Sequence, residues 1–163
     1  MARSDSFFIR ATVPVGSTFD QTSIDLGSFV DALGKTVLRI HNVSVQYGND
    51  NVLVLSGSGG ETNAFWQLTT QSQTGSISAE NRSVISTGSL RAFSDIAGNC
   101  SAVTESTDLN PMDWTSGYLV AVESIFLGSN ATSQAVTQLQ VVLECTVETM
   151  TAAASMALAL SQQ

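Results

Sequence analysis

The chain has 163 residues, of which 43% are hydrophobic and only 12% carry a charged side chain. That length suits one domain with a real hydrophobic core. Six Lys and Arg residues stand against 14 Asp and Glu residues, which gives a formal net charge of −8. The six cations are scattered along the chain, at Arg3, Arg10, Lys35, Arg39, Arg82 and Arg91. Nucleic-acid binding and polybasic membrane anchoring both need clustered cations, so direct contact with nucleic acid is not expected.

The N-terminal residues give no export signal. The apolar run that ends at Arg10 consists only of Phe7, Phe8 and Ile9, which is too short for the hydrophobic region of a signal peptide. No apolar run approaches the roughly 20 residues that span a bilayer. We therefore expect synthesis in a cytoplasm, where Cys100 and Cys145 stay unbonded and are buried as small apolar side chains. Four Asn-x-Ser/Thr sequences are then expected to be chance occurrences, at Asn42, Asn81, Asn99 and Asn130.

Two segments in the first third of the chain alternate as strands do. Phe7–Val13 is the first, and it ends at Pro14, which has no N–H to donate to a sheet. Thr36–Tyr47 is the second, and its alternation changes parity at His41 and Asn42. One extra residue in a strand produces such a change, so the sequence predicts a β-bulge or a sharp bend there.

The neighbouring segments are less clear. The apolar residues around Ile24 fit either a strand over Thr22–Leu26 followed by a helical turn, or a short helix starting at Asp25. We favour the strand. Val52–Leu55 predicts the return strand of a hairpin. Ser56–Gly60 predicts a flexible loop that lacks the Gly-Lys-Ser/Thr ending of a nucleotide-binding loop.

The middle of the chain predicts two strands and two loops. Ala64–Thr70 is apolar enough for a strand, and Gln71–Arg82 is polar and predicts a loop. Ser83–Phe93 predicts another strand, in which Gly88 indicates a bulge or corner. Ser94–Ser116 is the longest irregular stretch and predicts a surface loop.

The C-terminal half contains the clearest strand. Gly117–Leu127 predicts a strand and Gly128–Ser133 a turn. In Leu139–Thr149, apolar and polar side chains alternate, which indicates a strand with one dry and one wet face in an antiparallel sheet. Thr151–Leu160 is rich in helix formers, but a free helix of this length is unstable. The tail must therefore lie on its own domain or on a neighbouring subunit, and its candidate intersubunit residues are Met156, Leu158 and Leu160.

The residue types that catalysis and metal binding need do not cluster in the sequence. His41 is the only histidine, and we expect it to be hydrogen bonded for structural reasons. Asp95, Asp108 and Asp113 match no calcium-loop spacing, so a solvated loop is favoured over a calcium site. Glu144 and Glu148 are expected on the wet face of a strand, and nothing pairs them as acid and nucleophile. We predict no catalytic residue, no metal and no cofactor.

About eight strand segments joined by connections of unequal length predict an all-β, antiparallel sandwich. An immunoglobulin-like sandwich and a jelly roll are the two alternatives. Trp114, the one tryptophan between Cys100 and Cys145, lies in a loop-like stretch, so the immunoglobulin pattern is missing. We therefore predict a single domain over residues 1–163, an eight-stranded jelly-roll sandwich or barrel with long loops and a short C-terminal helix in residues 151–163.

The succession of strands resembles that of viral single jelly-roll capsid proteins. The segments that carry the resemblance are Phe7–Val13, Thr36–Tyr47, Ala64–Thr70, Ser83–Phe93, Gly117–Leu127 and Leu139–Thr149. Capsid proteins that package bare genomes usually carry a basic arm, and Met1–Ser6 has only Arg3. The chain is therefore most similar to small vertical jelly rolls of icosahedral archaeal or bacterial viruses, whose shells enclose an internal membrane.

This resemblance implies a non-enzymatic shell subunit of a virion, assembled in the host cytoplasm. It implies copies of the same chain and other virion proteins as partners, and a membrane nearby. Two alternatives stay open: a carbohydrate-binding or other ligand-binding sandwich, and a spike, fibre or decoration protein of a virion. A ligand-binding sandwich would use exposed aromatic side chains, for which the candidates are Tyr47, Trp66 and Trp114.

Overall fold

The structure is a computed structural model that describes residues 3–31, 35–48, 60–132 and 136–163. These residues form nine strands and one α-helix. The elements are β1 (Phe7–Pro14), β2 (Asp20–Asp25), β3 (Thr36–Tyr47), β4 (Glu61–Thr69), β5 (Val84–Ser94), β6 (Cys100–Leu109), β7 (Tyr118–Val120), β8 (Ser124–Ala131), β9 (Gln138–Thr149) and α1 (Ala152–Ser161), with a 3₁₀ turn at Pro111–Asp113. The predicted return strand Val52–Leu55 and most of the predicted glycine-rich loop lie outside the described residues.

The strands form two antiparallel sheets, ordered β1-β9-β3-β7 and β2-β8-β4-β5-β6. The first strand pairs with the last, β2 pairs with β8, and β3 pairs with β7. The chain is thus one long hairpin whose two arms are rolled together, with β4, β5 and β6 at its closed end. This nested pairing in two sheets is the jelly roll that the sequence predicts, and β6 is a strand beyond the predicted eight.

The hydrophobic core lies between the two sheets. In β9 the predicted dry face is confirmed, since Leu139, Leu143 and Cys145 are 0% exposed. From the opposite sheet, Trp66 fills the centre of the core and is also 0% exposed. Each fully buried leucine of β9 stabilises the fold by about 1.5–3 kcal/mol. A shift of one residue would move these side chains to the other face, so the register of β9 is strongly fixed.

The predicted irregularity in β3 is confirmed. The register of β3 against β9 shifts between Ile40 and Asn42, so His41 is the additional residue. Ile40 and Val43 are both buried in the core although they are three residues apart. The bulge allows this change of parity, and it leaves Arg39 and His41 on the outer face of the sheet.

Three sequence predictions for the second half are wrong. Ser94–Ser116 is not only a loop, because it contains β6. Gly117–Leu127 is not one strand, because the chain crosses from one sheet to the other between β7 and β8. The parity of burial changes at the crossing, where both Val120 and Ala121 are buried. The predicted turn Gly128–Ser133 belongs to β8 as far as Ala131.

The two cysteines differ in their surroundings. Both are free thiols, and Cys145 is buried as expected. Burial raises the pKa of the Cys145 thiol to about 12, so it stays protonated and behaves as an apolar side chain. Cys100 is exposed on β6, which corrects the expectation that both thiols are buried.

The C-terminal tail is helical, as predicted, and lies on its own domain. The Thr151 side chain caps the helix by accepting from the Ala154 N–H at 3.3 Å. Leu158 and Ala159 pack on Val37 against the outer face of the four-stranded sheet. After the helix, the Gln162 side chain accepts from Ala121 N at 2.9 Å and donates to the Leu119 carbonyl at 2.6 Å. Among the described residues, no helix has the length and apolar character to cross a bilayer.

Candidate functional site

A pocket of about 570 Å³ lies on the outer face of the four-stranded sheet. Its floor comes from Arg39 and His41 of β3 and Glu148 of β9, and Arg3 reaches it from the N-terminal segment. The loop between β6 and β7 forms the opposite wall through Met112, Trp114, Thr115 and Ser116. Residues that are distant in the sequence therefore meet in one polar depression.

An ion pair forms the base of the pocket. Arg39 Nε donates to Glu148 Oε1 at 2.7 Å, and Arg39 Nη2 donates to Glu148 Oε2 at 2.7 Å. The third guanidinium nitrogen, Nη1, donates to the Ser116 carbonyl. The two side chains are 14% and 8% exposed, so this bidentate pair is largely shielded from water. Glu148 was predicted on a wet face; it is instead buried, because Arg39 and Arg3 cover it.

The electrostatics follow from this geometry. Hydrogen bonds from Arg39 lower the pKa of Glu148. The same hydrogen bonds raise the pKa of Arg39, against an opposing effect of burial. Glu148 is therefore held as a carboxylate, and both of its oxygens accept from a fixed donor. It is a counter-ion for Arg39 rather than a proton acceptor for a substrate.

Arg3 lies next to His41. Arg3 Nη2 is 2.6 Å from His41 Nε2, and the same ring nitrogen is 2.9 Å from Thr146 Oγ1. A guanidinium can only donate, so Nε2 must be the accepting nitrogen and the ring proton sits on Nδ1. Burial and the positive charge of Arg3 lower the pKa of His41. The expected structural, hydrogen-bonded role of this histidine agrees with these contacts.

The wall of the pocket is fixed by Asn110. Its side-chain oxygen accepts from Val43 N and from Met112 N, both at 3.2 Å. Its side-chain nitrogen donates to the Val43 carbonyl and to Asn42 Oδ1, both at 3.1 Å. One buried amide thus ties the loop to the strand directly after the bulge.

Gly117 closes the same loop against β3. It has a φ of 62°, in the left-handed region that glycine adopts without strain. A Cβ at this position would overlap the Ile40 carbonyl oxygen. Trp114, whose ring centroid is 5.8 Å from that of Tyr118, therefore stands at a defined place on the rim.

The three aromatic candidates from the sequence lie in different surroundings. Trp66 is 0% exposed and Tyr47 is 6% exposed, so both belong to the core and offer no ring face to a partner. Trp114 is 38% exposed and lines the pocket. Of the tail candidates, Met156 and Leu160 are 48% and 66% exposed, whereas Leu158 packs inward.

The aspartates of the long connection are not gathered at one point. Asp95 accepts from Asn99 N at 2.8 Å within a tight turn, and this hydrogen bond lowers its pKa. Within the described ranges, no three His, Cys, Asp or Glu side chains are close enough together to hold a metal ion. Asp95 lies in the turn between β5 and β6, Asp108 on strand β6 and Asp113 in the 3₁₀ turn, and all three are exposed to solvent.

Sequence reasoning missed Arg3, Arg39 and Thr146 as parts of the site. The sequence could have indicated Arg39, because it lies two residues before His41 on the predicted strand and therefore shares the outer face with it. Arg3 gives no local signal, since its position depends on the isolated bridge to Glu148. The assembled pocket offers hydrogen-bond donors and one exposed cation, which suits binding of an anionic group rather than acid–base chemistry.

The comparisons with known proteins find likeness in fold. No known family model and no curated protein match the chain. VP1 of Trichodysplasia spinulosa-associated polyomavirus, solved in complex with GM1 oligosaccharide, aligns with a TM-score of 0.51 and 6% identity, over 88% of this chain and 95% of that chain. Merkel cell polyomavirus VP1 aligns over 88% and 94% with a TM-score of 0.42 and 8% identity. Cocksfoot mottle virus aligns over 93% and 100% with a TM-score of 0.35 and 11% identity. The first of these shows that the fold is the jelly roll of viral capsid proteins.

Proposed function

We propose that this protein is a shell subunit of an icosahedral virus, assembled from copies of the chain with other virion proteins. The observation that carries the proposal is the distribution of exposed apolar side chains on a jelly roll of the viral capsid type. They lie on separate elements: Phe8 on β1, Ile96 and Val103 at the β5–β6 end, and Met156 and Leu160 on α1. A ligand site would gather such side chains in one place, whereas a subunit of a closed shell contacts neighbours on several sides.

The edge strand β6 supports the same function. In the part of the chain that the structure describes, it pairs only with β5 and forms the outer edge of its sheet. Nearly all of its ten residues are exposed, and none of them belongs to the hydrophobic core between the sheets. An edge of this length with unpaired backbone groups is a ready template for another chain. Contact with a neighbouring subunit would satisfy those groups.

The charge of the chain suits a shell that lies over a membrane or another protein layer. With 14 acidic residues against six cations, the subunit would repel nucleic acid unless its cations were gathered on one face. Two of the cations, Arg3 and Arg39, face the carboxylate of Glu148. The virion of this proposal therefore has an internal membrane, and the subunit is made in the host cytoplasm and acts without catalysis.

Assembly is testable with the purified protein. Sedimentation and negative-stain microscopy at increasing concentration should show symmetric oligomers or shells. The double variant Met156→Ser and Leu160→Ser should shift the onset of assembly to higher concentration while circular dichroism stays unchanged. Ala153→Ser, on the same exposed helix surface, is the matched control and should assemble normally. A wild-type protein that stays monomeric at its highest soluble concentration, from a source without particles, would overturn the proposal.

A glycan-binding role is the second candidate, because Trp114 offers a partly exposed ring beside the pocket. Aromatic rings stack on the apolar faces of sugars, and a polar pocket beside them can fix orientation. A glycan array should then give one saccharide class, and Trp114→Ala should abolish that signal. Met112→Ala, exposed in the same loop, provides the control. An array without binding would remove this candidate and leave shell assembly untouched.

A further inference from the structure

Arg3 is a cation without a complete counter-ion. Its side chain is 52% exposed, and its closest approach to a carboxylate is 3.4 Å, from Nε to Glu148 Oε1. That oxygen already accepts from Arg39 Nε at 2.7 Å. The other contacts of Arg3 are to a hydroxyl and to an imidazole, at 3.3 Å and 2.6 Å. Among the described residues, Arg3 Nη1 has no hydrogen-bond partner, and Nη2 carries a second N–H besides the one that donates to His41, so donors on two neighbouring nitrogens of the guanidinium remain available.

The charges around this position favour an incoming anion. Arg3, Arg39, Glu144 and Glu148 are the charged groups that act on His41. Arg39 and Glu148 neutralise each other in a bidentate pair, and His41 is uncharged while it accepts from Arg3. Glu144 is paired across β3 with Asn42 and is not in hydrogen-bond contact with Arg3. The pocket thus presents an unneutralised cation on a chain whose net charge is −8.

We propose that the pocket binds a carboxylate through Arg3, and that in the assembled particle an acidic side chain of a second copy supplies it. Guanidinium and carboxylate match in geometry and form two parallel hydrogen bonds. Met112 and Trp114 are 63% and 38% exposed at the rim, so they can cover the methylene groups of an Asp or Glu side chain. The carboxylate site is inferred from the pocket alone, whereas the inference that a second copy supplies the carboxylate rests on the proposed function.

The single histidine provides a direct reporter of the site. The full-length protein, kept below its assembly concentration, is titrated with sodium acetate and, separately, with sodium chloride at equal ionic strength. Acetate should move the His41 Cε1–H resonance saturably, with half-saturation in the millimolar range. It should also raise the His41 titration midpoint, because it neutralises Arg3. Chloride should do neither.

Two variants make the test specific. Arg3→Ala should abolish the acetate response, and Arg3→Lys should weaken it, since an ammonium cannot form the bidentate contact. Arg91→Ala removes an exposed cation from β5 and should leave the response unchanged. Identical responses to acetate and chloride, or an unchanged acetate response in Arg3→Ala, would overturn the proposal.

The source of the carboxylate is distinguished by assembly. If a neighbouring copy supplies the carboxylate, Arg3→Ala should raise the protein concentration required for assembly about tenfold, the effect of losing about 1.4 kcal/mol. It also predicts that saturating acetate inhibits assembly more than chloride does. If acetate binds but neither effect appears, the pocket takes a free carboxylate and the second-copy source is overturned. If the wild type never assembles, the proposed function fails while the acetate result still decides the site.

Discussion

Gly88 lies directly opposite Trp66 in the ladder between β4 and β5, and the indole occupies the space of the missing side chain. A Cβ at residue 88 would lie 2.6 Å from Trp66 Nε1 and 2.5 Å from the Ser106 carbonyl oxygen. Because Trp66 is fully buried, its ring has no room to move aside. The register shift against β6 at Thr87 and Gly88 agrees with the irregularity that the sequence predicts there.

Gly88→Ala should therefore destabilise the protein by about 1–3 kcal/mol, the usual cost of overpacking a core. Urea denaturation followed by circular dichroism measures the difference. Gly75→Ala is the matched control, since a Cβ at Gly75 meets no atom within 4 Å. Equal denaturation midpoints for the two variants would show that the ring and the sheet can adjust to an added methyl group.

Asn110 should hold the pocket wall in place. Asn110→Ala removes four hydrogen bonds and leaves the Val43 N–H without its partner, which should cost about 1–3 kcal/mol. Amide exchange at Val43 should accelerate in the same variant. Thr115→Ala changes an exposed residue of the same loop and should alter neither quantity. Unchanged exchange at Val43 in Asn110→Ala would mean that the loop is held by other contacts.

The sequence was informative where one face of an element is buried and the other is wet. Leu139–Thr149 alternates except at Val142, and the change of parity at His41 marks the bulge correctly. β6 could not be predicted in this way, because its residues are exposed on both faces and no alternation is required. It is a strand only because β5 offers hydrogen-bond partners at the edge of the sheet.

The pocket was less predictable than the fold because it depends on contacts between distant residues. Arg3 and Thr146 are 143 positions apart, and they meet only because β1 pairs with β9 and Arg3 forms an isolated bridge with Glu148. For Trp66, the residue type alone was misleading. Its residue type suggested a contact surface, but its parity in β4 points it into the core. A residue type indicates a function only after the face on which it lies is known.

Arg39 and Glu148 should stabilise the fold because each neutralises the buried charge of the other. Removing one partner leaves a largely buried charge, so Arg39→Met or Glu148→Leu alone should each cost about 3 kcal/mol, the lower end for breaking a buried pair. The double variant should lose less free energy of unfolding than the two single variants lose together, because neither charge then remains unpaired. A denaturation-based double-mutant cycle measures the coupling. Additive losses would show that water, rather than the partner, solvates each charge in the native protein.

His41 should make stability depend on pH in a window where no other side-chain type titrates at its ordinary pKa. Burial and Arg3 lower its pKa in the folded protein, whereas the unfolded value is about 6.5. As pH falls from about 7 through the unfolded pKa of about 6.5, the unfolded chain therefore binds more protons, so the free energy of unfolding falls, by at most about 1.4 kcal/mol per pH unit for one proton. Protonation would also remove the lone pair that accepts from Arg3, which adds repulsion between the two side chains.

The matched variant for this dependence is His41→Gln, whose amide oxygen can accept from Arg3 but does not titrate. Its free energy of unfolding should be nearly flat over the same window, while both proteins lose stability at lower pH as Glu148, whose pKa is lowered by Arg39, is protonated. Urea denaturation at half-unit steps of pH measures both curves. A wild-type slope that persists in His41→Gln would assign the dependence to another group and remove the Arg3–His41 contact as its cause.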